Sequence, residues 1–299
     1  MDNVNEIDHL LNNGIIIINK PCGPTSHEVT TFVKKLLGIP RSGHAGTLDP
    51  DVSGVLPIAL GRATKLLQYI AGKEKTYVAL AKFRKILTPD ELDELFRKFS
   101  GTITQTPPLI SAVRKVPRKR VVHELKFLEQ SGHLILFTSE VEAGTYIRTL
   151  CENMGNTLEP SGGRMVELRR VSVGRIGEKR AHTLQELMDA VWFFKNKGDP
   201  SFLLRMIRPP ELYLDFPKIF IRGNALASIM NGAQIMPPAI LSVPSGIKRD
   251  ELVSIYCRES KNAEDVFVGV GRYVAGGIAT KVAVKIERMH VFKKSEVKK

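Results

Sequence analysis

At 299 residues the chain is long enough for two ordinary domains, though one large domain also fits that length, and 43% hydrophobic with 25% charged residues is a globular composition, neither disordered nor fibrous. Lys and Arg number 44 against 31 Asp and Glu, a net charge of +13 that points to a polyanionic partner, nucleic acid or an anionic membrane surface. Apolar runs such as Ile15–Ile18 are far too short to span a bilayer, and acidic Asp2, Glu6 and Asp8 do not form a signal peptide, so membrane attachment is disfavoured and a cytoplasmic location is expected.

In chain order, the run from Gly14 to Ile18 reads as a buried strand closed by Asn19-Lys20-Pro21. Thr25 and Glu28 form a capping-box pattern, and Val29, Phe32, Val33, Leu36 and Leu37 recur at helical spacing before Gly38 and Pro40 stop the run. Residues 42–62 carry Gly43, Gly46, Pro50, Gly54, Pro57 and Gly61 and read as a shaped loop region. The spacing predicts a helix over Ala63–Ile70, a strand over Tyr77–Phe83, and a helix capped by Thr88 with Leu92, Leu95, Phe96 and Phe99 on one face. A strand over Leu134–Val141 and a helix capped by Thr183 and Glu186 follow.

Composition changes near Arg208-Pro209-Pro210 and Phe216-Pro217, so domains are expected at 1–210 and 215–299. The second carries a short helix at Asn224–Met230 and strands at Leu252–Tyr256, Val266–Val270 and Val282–Ile286, separated by Pro237-Pro238, Ser245-Gly246 and Gly276-Gly277, which suggests a small β-barrel. The fold class is thus α/β (α+β): a mixed-sheet domain followed by a small β module. Lys293, Lys294, Lys298 and Lys299 read as a solvated tail. Cys22, Cys151 and Cys257 contain no C-x-x-C pair and read as buried small hydrophobes, so neither a metal nor a redox role is expected.

The segment richest in chemistry is Gly43-His-Ala-Gly-Thr-Leu-Asp-Pro50, continued by Asp51-Val-Ser-Gly-Val-Leu-Pro57 and Gly61-Arg-Ala-Thr-Lys65. Asp49 on a Gly-rich loop before proline can project its carboxylate at a ligand, although Asp before Pro is ordinarily a turn residue and spacing alone leaves both readings open.

This segment resembles the G-H-x-G-x-L-D-P signature of the TruB and dyskerin branch of pseudouridine synthases. Asn19-Lys-Pro21 with Gly23-Pro-Thr-Ser-His27 is similar to the family's first motif. Lys75-Thr-Tyr77, Gly144-Thr-Tyr-Ile-Arg148 and Leu168-Arg-Arg170 resemble the segments that supply its tyrosine, its arginine and a hydrophobic residue near the target base. The resemblance implies isomerisation of uridine within RNA, with no metal or organic cofactor. Asp49 would be the essential carboxylate, Arg148 would pair with it, Tyr77 would stack on a flipped-out uracil near the carbon-5 proton, and Leu168 would close the pocket against water. His44 would contact the nucleotide or be structural, and Lys20 would support the floor of the site; both are carried with Tyr146, Arg164, Arg169 and Arg170 as RNA-binding candidates. Without the resemblance, core packing for Tyr77 and Leu168 and a surface cation for Arg148 are the plainer readings.

Basic residues cluster at Arg114-Lys115 and Arg118-Lys-Arg120, and again at Arg164, Arg169, Arg170, Arg175, Lys179 and Arg180, as phosphate contacts would. From about Asp215 the chain resembles the PUA domain, a small RNA-binding β-barrel, best at Gly246-Ile-Lys-Arg-Asp-Glu-Leu-Val253, which makes Lys248 and Arg249 RNA-binding candidates; Gly269-Val-Gly271 is a weaker match. Thr106–Val113, Glu142–Arg148 and Gly246–Arg249 look more like the dyskerin branch than bacterial TruB, and the eukaryotic Lys-rich tail is missing, so an archaeal type is implied. The implied partners are substrate RNA, an H/ACA guide RNA and small accessory proteins. The segment before Asn19 is shorter than the family's usual N-terminal extension. A stand-alone transfer RNA synthase is the alternative enzyme, and a non-catalytic RNA scaffold the alternative of another class. DNA binding has no helix-turn-helix or zinc-finger signal behind it.

Overall fold

A computed structural model describes residues 3–107, 114–160, 162–258, 265–274 and 283–290. The expectations that fall on 108–113, Gly276-Gly277, Val282 and the terminal lysines lie outside the described residues. The chain divides into two compact units, residues 1–208 and 209–299.

The first unit begins with helix α1 (Asn3–Asn13), which leads into strand β1 (Ile15–Lys20). Helix α2 (Ser26–Leu37) starts at the Thr25/Glu28 capping box, with both reciprocal bonds made, and ends at Gly38. The segment expected to be a loop is instead largely a hairpin, β2 (Ser42–His44) and β3 (Val52–Leu60), whose turn keeps residues 45–51 as the loop. A 3-10 turn (Gly61–Leu66) runs into the short helix α3 (Leu67–Ala71), and β4 (Lys75–Phe83) follows. The next helix, α4 (Pro89–Phe99), has Pro89 in its first turn and the second capping box. Strands β5 (Gly101–Gln105), β6 (Arg118–Ser131) and β7 (Leu134–Val141) precede α5 (Ile147–Leu158) and β8 (Gly163–Val173). Short β9 (Ile176–Gly177), helices α6 (Leu184–Lys197) and α7 (Ser201–Met206), and β10 (Ile207–Arg208) complete the unit.

Among the described residues these strands make one mixed sheet in the order β10-β1-β3-β8-β4-β7-β6-β5, with β2 beside β3 and β9 beside β8. β3 and β8 run parallel and the other described pairs in this sheet antiparallel. That junction separates two apolar clusters. Ile16, Ile18, Leu56 and Ile58 pack against α1, α2, α6 and α7; Ala79, Phe83, Phe137 and Val141 pack against α4 and α5.

Crowding is greatest at the junction. Gly54, at φ +108°, pairs with Arg170, and a Cβ built on it would sit 2.1 Å from the Arg170 carbonyl oxygen. Only glycine lets these strands approach so closely.

The second unit contains β11 (Lys218–Arg222), α8 (Leu226–Met230), β12 (Ile240–Ser242), β13 (Leu252–Arg258), β14 (Val266–Tyr273) and β15 (Val284–Met289). Its strands order as β12-β11-β13-β14-β15 over a core of Ile219, Ile221, Val253, Ile255 and Val268. Among the described residues these strands form a five-stranded sheet in which β12 and β15 do not pair, so closure into the expected barrel is not seen there.

Cys22 is exposed, also against expectation, while Cys151 and Cys257 are buried as small apolar side chains are. Among the described residues no helix is long and apolar enough to cross a membrane.

Gly54→Ala is expected to cost about 3 kcal/mol of stability, since both the backbone angle and the Arg170 carbonyl oppose a side chain. Urea denaturation checks it; an unchanged midpoint contradicts the close approach.

Candidate active site

The loop of residues 45–51 is pinned from three sides. Its Leu48 is clipped to the start of α2 by the Ser26 hydroxyl, which donates to Leu48 O (2.9 Å) and accepts from Leu48 N (2.8 Å). A β-turn with Pro50 at its second position closes through Val52 N donating to Asp49 O at 3.0 Å. Pro50 O in turn accepts from Gly23 N (2.8 Å) and from the ammonium of Lys20 (3.2 Å), which also reaches Pro21 O at 2.8 Å. Lys20 is fully buried. Burial draws its pKa below the ordinary lysine value, opposed in part by Cys22, Asp51 and Asp49.

Held this way, Asp49 meets Arg148 from the first turn of α5: Arg148 Nη2 lies 3.0 Å from Asp49 Oδ2 and 3.4 Å from Asp51 Oδ2. A cation in the first turn opposes the helix dipole, and two carboxylates offset that cost. Arg148 is 27% and the Asp49 side chain 46% exposed, so the pair serves orientation more than stability. The entry to α5 is fixed by the buried Gln105 amide, whose oxygen accepts from Tyr146 N and whose nitrogen donates to Tyr146 O, each at 3.0 Å.

Beneath the loop, Tyr77 on β4 is buried in one cluster with Leu48 and Val52, and half-buried Leu168 on β8 packs against that cluster. The structure therefore brings Asp49, Arg148, Tyr77 and Leu168 to one place. Asp51, which sequence reasoning passed over, joins them; the Asp-Pro-Asp-Val turn was the available signal.

The RNA-binding candidates separate into groups. Arg170 is only 1% exposed. Its Nε donates to Val55 O (2.8 Å) and Nη2 to Gly46 O (2.9 Å), and its backbone pairs in register with Tyr77 on β4. Lys20 and Arg170 thus correct the sequence reading: both face inward, where burial removes them from phosphate and backbone carbonyls hold them. Arg169 binds Glu178 Oε2 through Nε (3.0 Å) and Nη2 (2.9 Å) and reaches Asn19 Oδ1 at 3.1 Å, tying β8 to β1.

His44 lies between two threonines. The Thr30 hydroxyl spends its proton on Ser26 O, so it accepts from His44 Nδ1 (3.1 Å), leaving Nε2 to accept from Thr47 Oγ1 (3.2 Å). Burial, then Arg170 and His27, holds its pKa below the usual histidine value.

Tyr146 lines a cavity of about 230 Å³ with Gln105, Pro107, Arg118, Arg120 and Gly144. Arg164 lines a larger cleft of about 510 Å³ with Lys82, Phe83, Arg84, His133, Gly162 and Gly163. There Lys82 stands directly across from Arg164 on neighbouring strands, a repulsive pairing that an anion would relieve. In the second unit, Lys248 and Arg249 occupy an exposed turn capped by Glu251 Oε2 accepting from Lys248 N at 2.8 Å.

Among the described residues no group of three or more His, Cys, Asp or Glu is placed to hold a metal ion.

Two family models match within residues 34–215: the TruB family pseudouridylate synthase N-terminal domain over residues 34–147, and the tRNA pseudouridylate synthase B C-terminal domain over residues 148–215. The "Probable tRNA pseudouridine synthase B" of Pyrobaculum aerophilum is 40% identical over 275 residues, 92% of this chain and 80% of that protein. The chain belongs to the TruB family of pseudouridine synthases. It is an RNA-modifying enzyme of that class. The Methanocaldococcus jannaschii protein of the same name is 39% identical over 290 residues, 96% of this chain and 85% of that one. Among solved structures, "Crystal Structure of a Cbf5-Nop10-Gar1 Complex" superposes with a TM-score of 0.86 at 37% identity, covering 95% of this chain and 87% of the other. "Structure of H/ACA RNP bound to a substrate RNA containing 2'-deoxyuridine" gives 0.84 at 35% identity, covering 96% and 87%. The family models cross the α5 entry, so Asp49 and Tyr77 fall in the first and Arg148 and Leu168 in the second.

Buried Lys75 gives the first unit a pH signature. Its ammonium donates to Ala71 O and Lys73 O, and burial, with Arg170 beside it, lowers its pKa to about 8. In the unfolded chain lysine titrates near its ordinary value of 10.5, so between about pH 8 and 10.5 unfolding takes up a proton and stability rises with pH. Wild type should therefore gain stability relative to Lys75→Met across that window in urea titrations; parallel pH curves would contradict the assignment.

Proposed function

We propose that this pseudouridine synthase acts as the catalytic subunit of an H/ACA guide ribonucleoprotein, isomerising chosen uridines in ribosomal RNA, with transfer RNA as a further substrate class. The observation that carries the catalytic reading is Arg148 gripping Asp49 on a loop pinned by Ser26, Gly23 and Lys20. Uridine isomerisation breaks the bond from ribose to N1, turns the base, joins ribose to carbon 5, releases the carbon-5 proton to solvent and takes up a proton at N1. The balance of atoms and electrons is zero. The protein has to present one carboxylate, hold the base while it is detached and keep water out.

Asp49 supplies the carboxylate and Arg148 fixes its direction. Tyr77 and Leu168 form the apolar floor that receives the flipped base, and His44 and Tyr146 border the entry. Backbone contacts fall to Arg164 and its cleft and, in the second unit, to Lys248 and Arg249, consistent with a PUA-type RNA-binding role for that unit.

Guide dependence is supported by 35–37% identity, over nearly the whole chain, to proteins whose structures were solved with Nop10 and Gar1 or as an H/ACA particle with substrate RNA. A stand-alone enzyme on transfer RNA is the second reading, favoured by the names of the curated relatives. Tritium release from RNA containing 5-tritiated uridine separates them. The proposal expects release only when guide RNA and accessory proteins are present, and none from Asp49→Asn; release from transfer RNA by the chain alone supports the second reading.

Replacing Lys82 and Arg164 together by Gln is expected to weaken RNA binding and reduce the slope of log affinity against log salt by about 1.5, two phosphate contacts' worth. Filter binding across a salt series checks it, and an unchanged slope removes the cleft from the RNA path.

A further inference from the structure

Arg170 is the largest fully buried side chain among the described residues, and no ion pair there involves it. The charged and titratable groups around it are Tyr77, Lys75 and His44, none of them a carboxylate. Burying a guanidinium without an opposite charge is a poor way to stabilise a fold, because an apolar side chain of similar volume avoids the desolvation cost. Its contacts suggest another purpose. One arm of the fork holds Gly46 O in the loop that bears Asp49; another holds Val55 O on β3, at the far side of that loop. Across β4 and β8 Arg170 also pairs in register with Tyr77, whose side chain lies near enough to the guanidinium to favour its charge. Gly46 leaves room for the fork: a Cβ there would come within 3.2 Å of Arg170 Nη1.

From these contacts we infer that Arg170 is a positioning residue for the isomerisation, a single buried fork that holds the Asp49 loop to β3 from the strand position paired with Tyr77. The inference rests on the reading of Asp49 and Tyr77 given above. It departs from the phosphate-contact role that the Leu168-Arg169-Arg170 segment suggests in sequence.

The test measures kcat and KM for tritium release by full-length Arg170→Lys, with RNA affinity measured alongside. Lysine keeps the charge but cannot span the two carbonyl acceptors as the planar fork does. The expected result is a fall in kcat of about 10- to 100-fold, with KM and RNA affinity within about twofold. Unchanged kcat, or a loss confined to KM and RNA affinity, would overturn the inference. Should Arg170→Lys fail to fold, Arg170→Met, which removes the buried charge, is judged by the same criteria. Asp49→Asn run in parallel keeps the two ideas apart. If that variant remains active, the reading of the loop fails; if it is inactive while Arg170→Lys is not, only the role of Arg170 falls.

Discussion

Where β3 passes β8, the Arg170 carbonyl occupies the space a side chain at Gly54 would need, and the groups proposed to react hang from that contact. On the β3 side, Gly54 lies three residues beyond Asp51, so its close approach fixes where the loop of residues 45–51 must return. On the β8 side, Leu168 and Arg170 pair with Ala79 and Tyr77 of β4, so the same strand sets the floor. The parallel pairing makes β3 and β8 enter the junction from one direction, and α5 delivers Arg148 to the start of β3, where Asp49 and Asp51 lie. A fraction of an ångström lost at Gly54 would separate the carboxylate from the groups below it, and catalysis depends steeply on such distances.

Charge is arranged in two layers around this junction. Lys20, Lys75 and Arg170 are all buried, and backbone carbonyls accept their hydrogen bonds: Pro21 and Pro50, Ala71 and Lys73, Gly46 and Val55. Carbonyl oxygens satisfy the donors without cancelling the charge, so positive potential persists under the loop. Above it Asp49 and Asp51 share Arg148. Further out, Arg118 and Arg120 in one cavity and Lys82, Arg84 and Arg164 in another extend the basic surface that +13 implies.

Much of the local structure was legible in sequence because each segment carries its own signal. The boxes of Thr25 with Glu28, Thr88 with Glu91 and Thr183 with Glu186 all form as the spacing predicts. β7 runs from Leu134 to Val141 as its alternation suggests. The pattern of β6 and β8 is weak because most of their residues are half-buried or exposed, and because one of the two buried positions on β8 is an arginine, opposite to the binary pattern. The hairpin of β2 and β3 hid behind Gly54 and Pro57, which ordinarily mark loops; here Gly54 marks a close backbone approach. Asp49, Tyr77, Arg148 and Leu168 were found together only through resemblance, since their convergence depends on a parallel junction between strands more than a hundred residues apart. The roles of Lys20 and Arg170 depended on burial, which a basic cluster in sequence does not disclose.

Asp49 and Asp51 both touch Arg148, one turn of chain apart, so the most direct test of the account asks which carboxylate performs the chemistry. Asp49→Asn and Asp51→Asn should be compared under single-turnover conditions with 5-tritiated uridine RNA in whichever assembly supports release by the wild type. The account predicts that Asp49→Asn binds RNA and releases no tritium, while Asp51→Asn retains release within about tenfold of wild type, having lost only the longer contact to Arg148. Release by Asp49→Asn, or its abolition in Asp51→Asn alone, would contradict it.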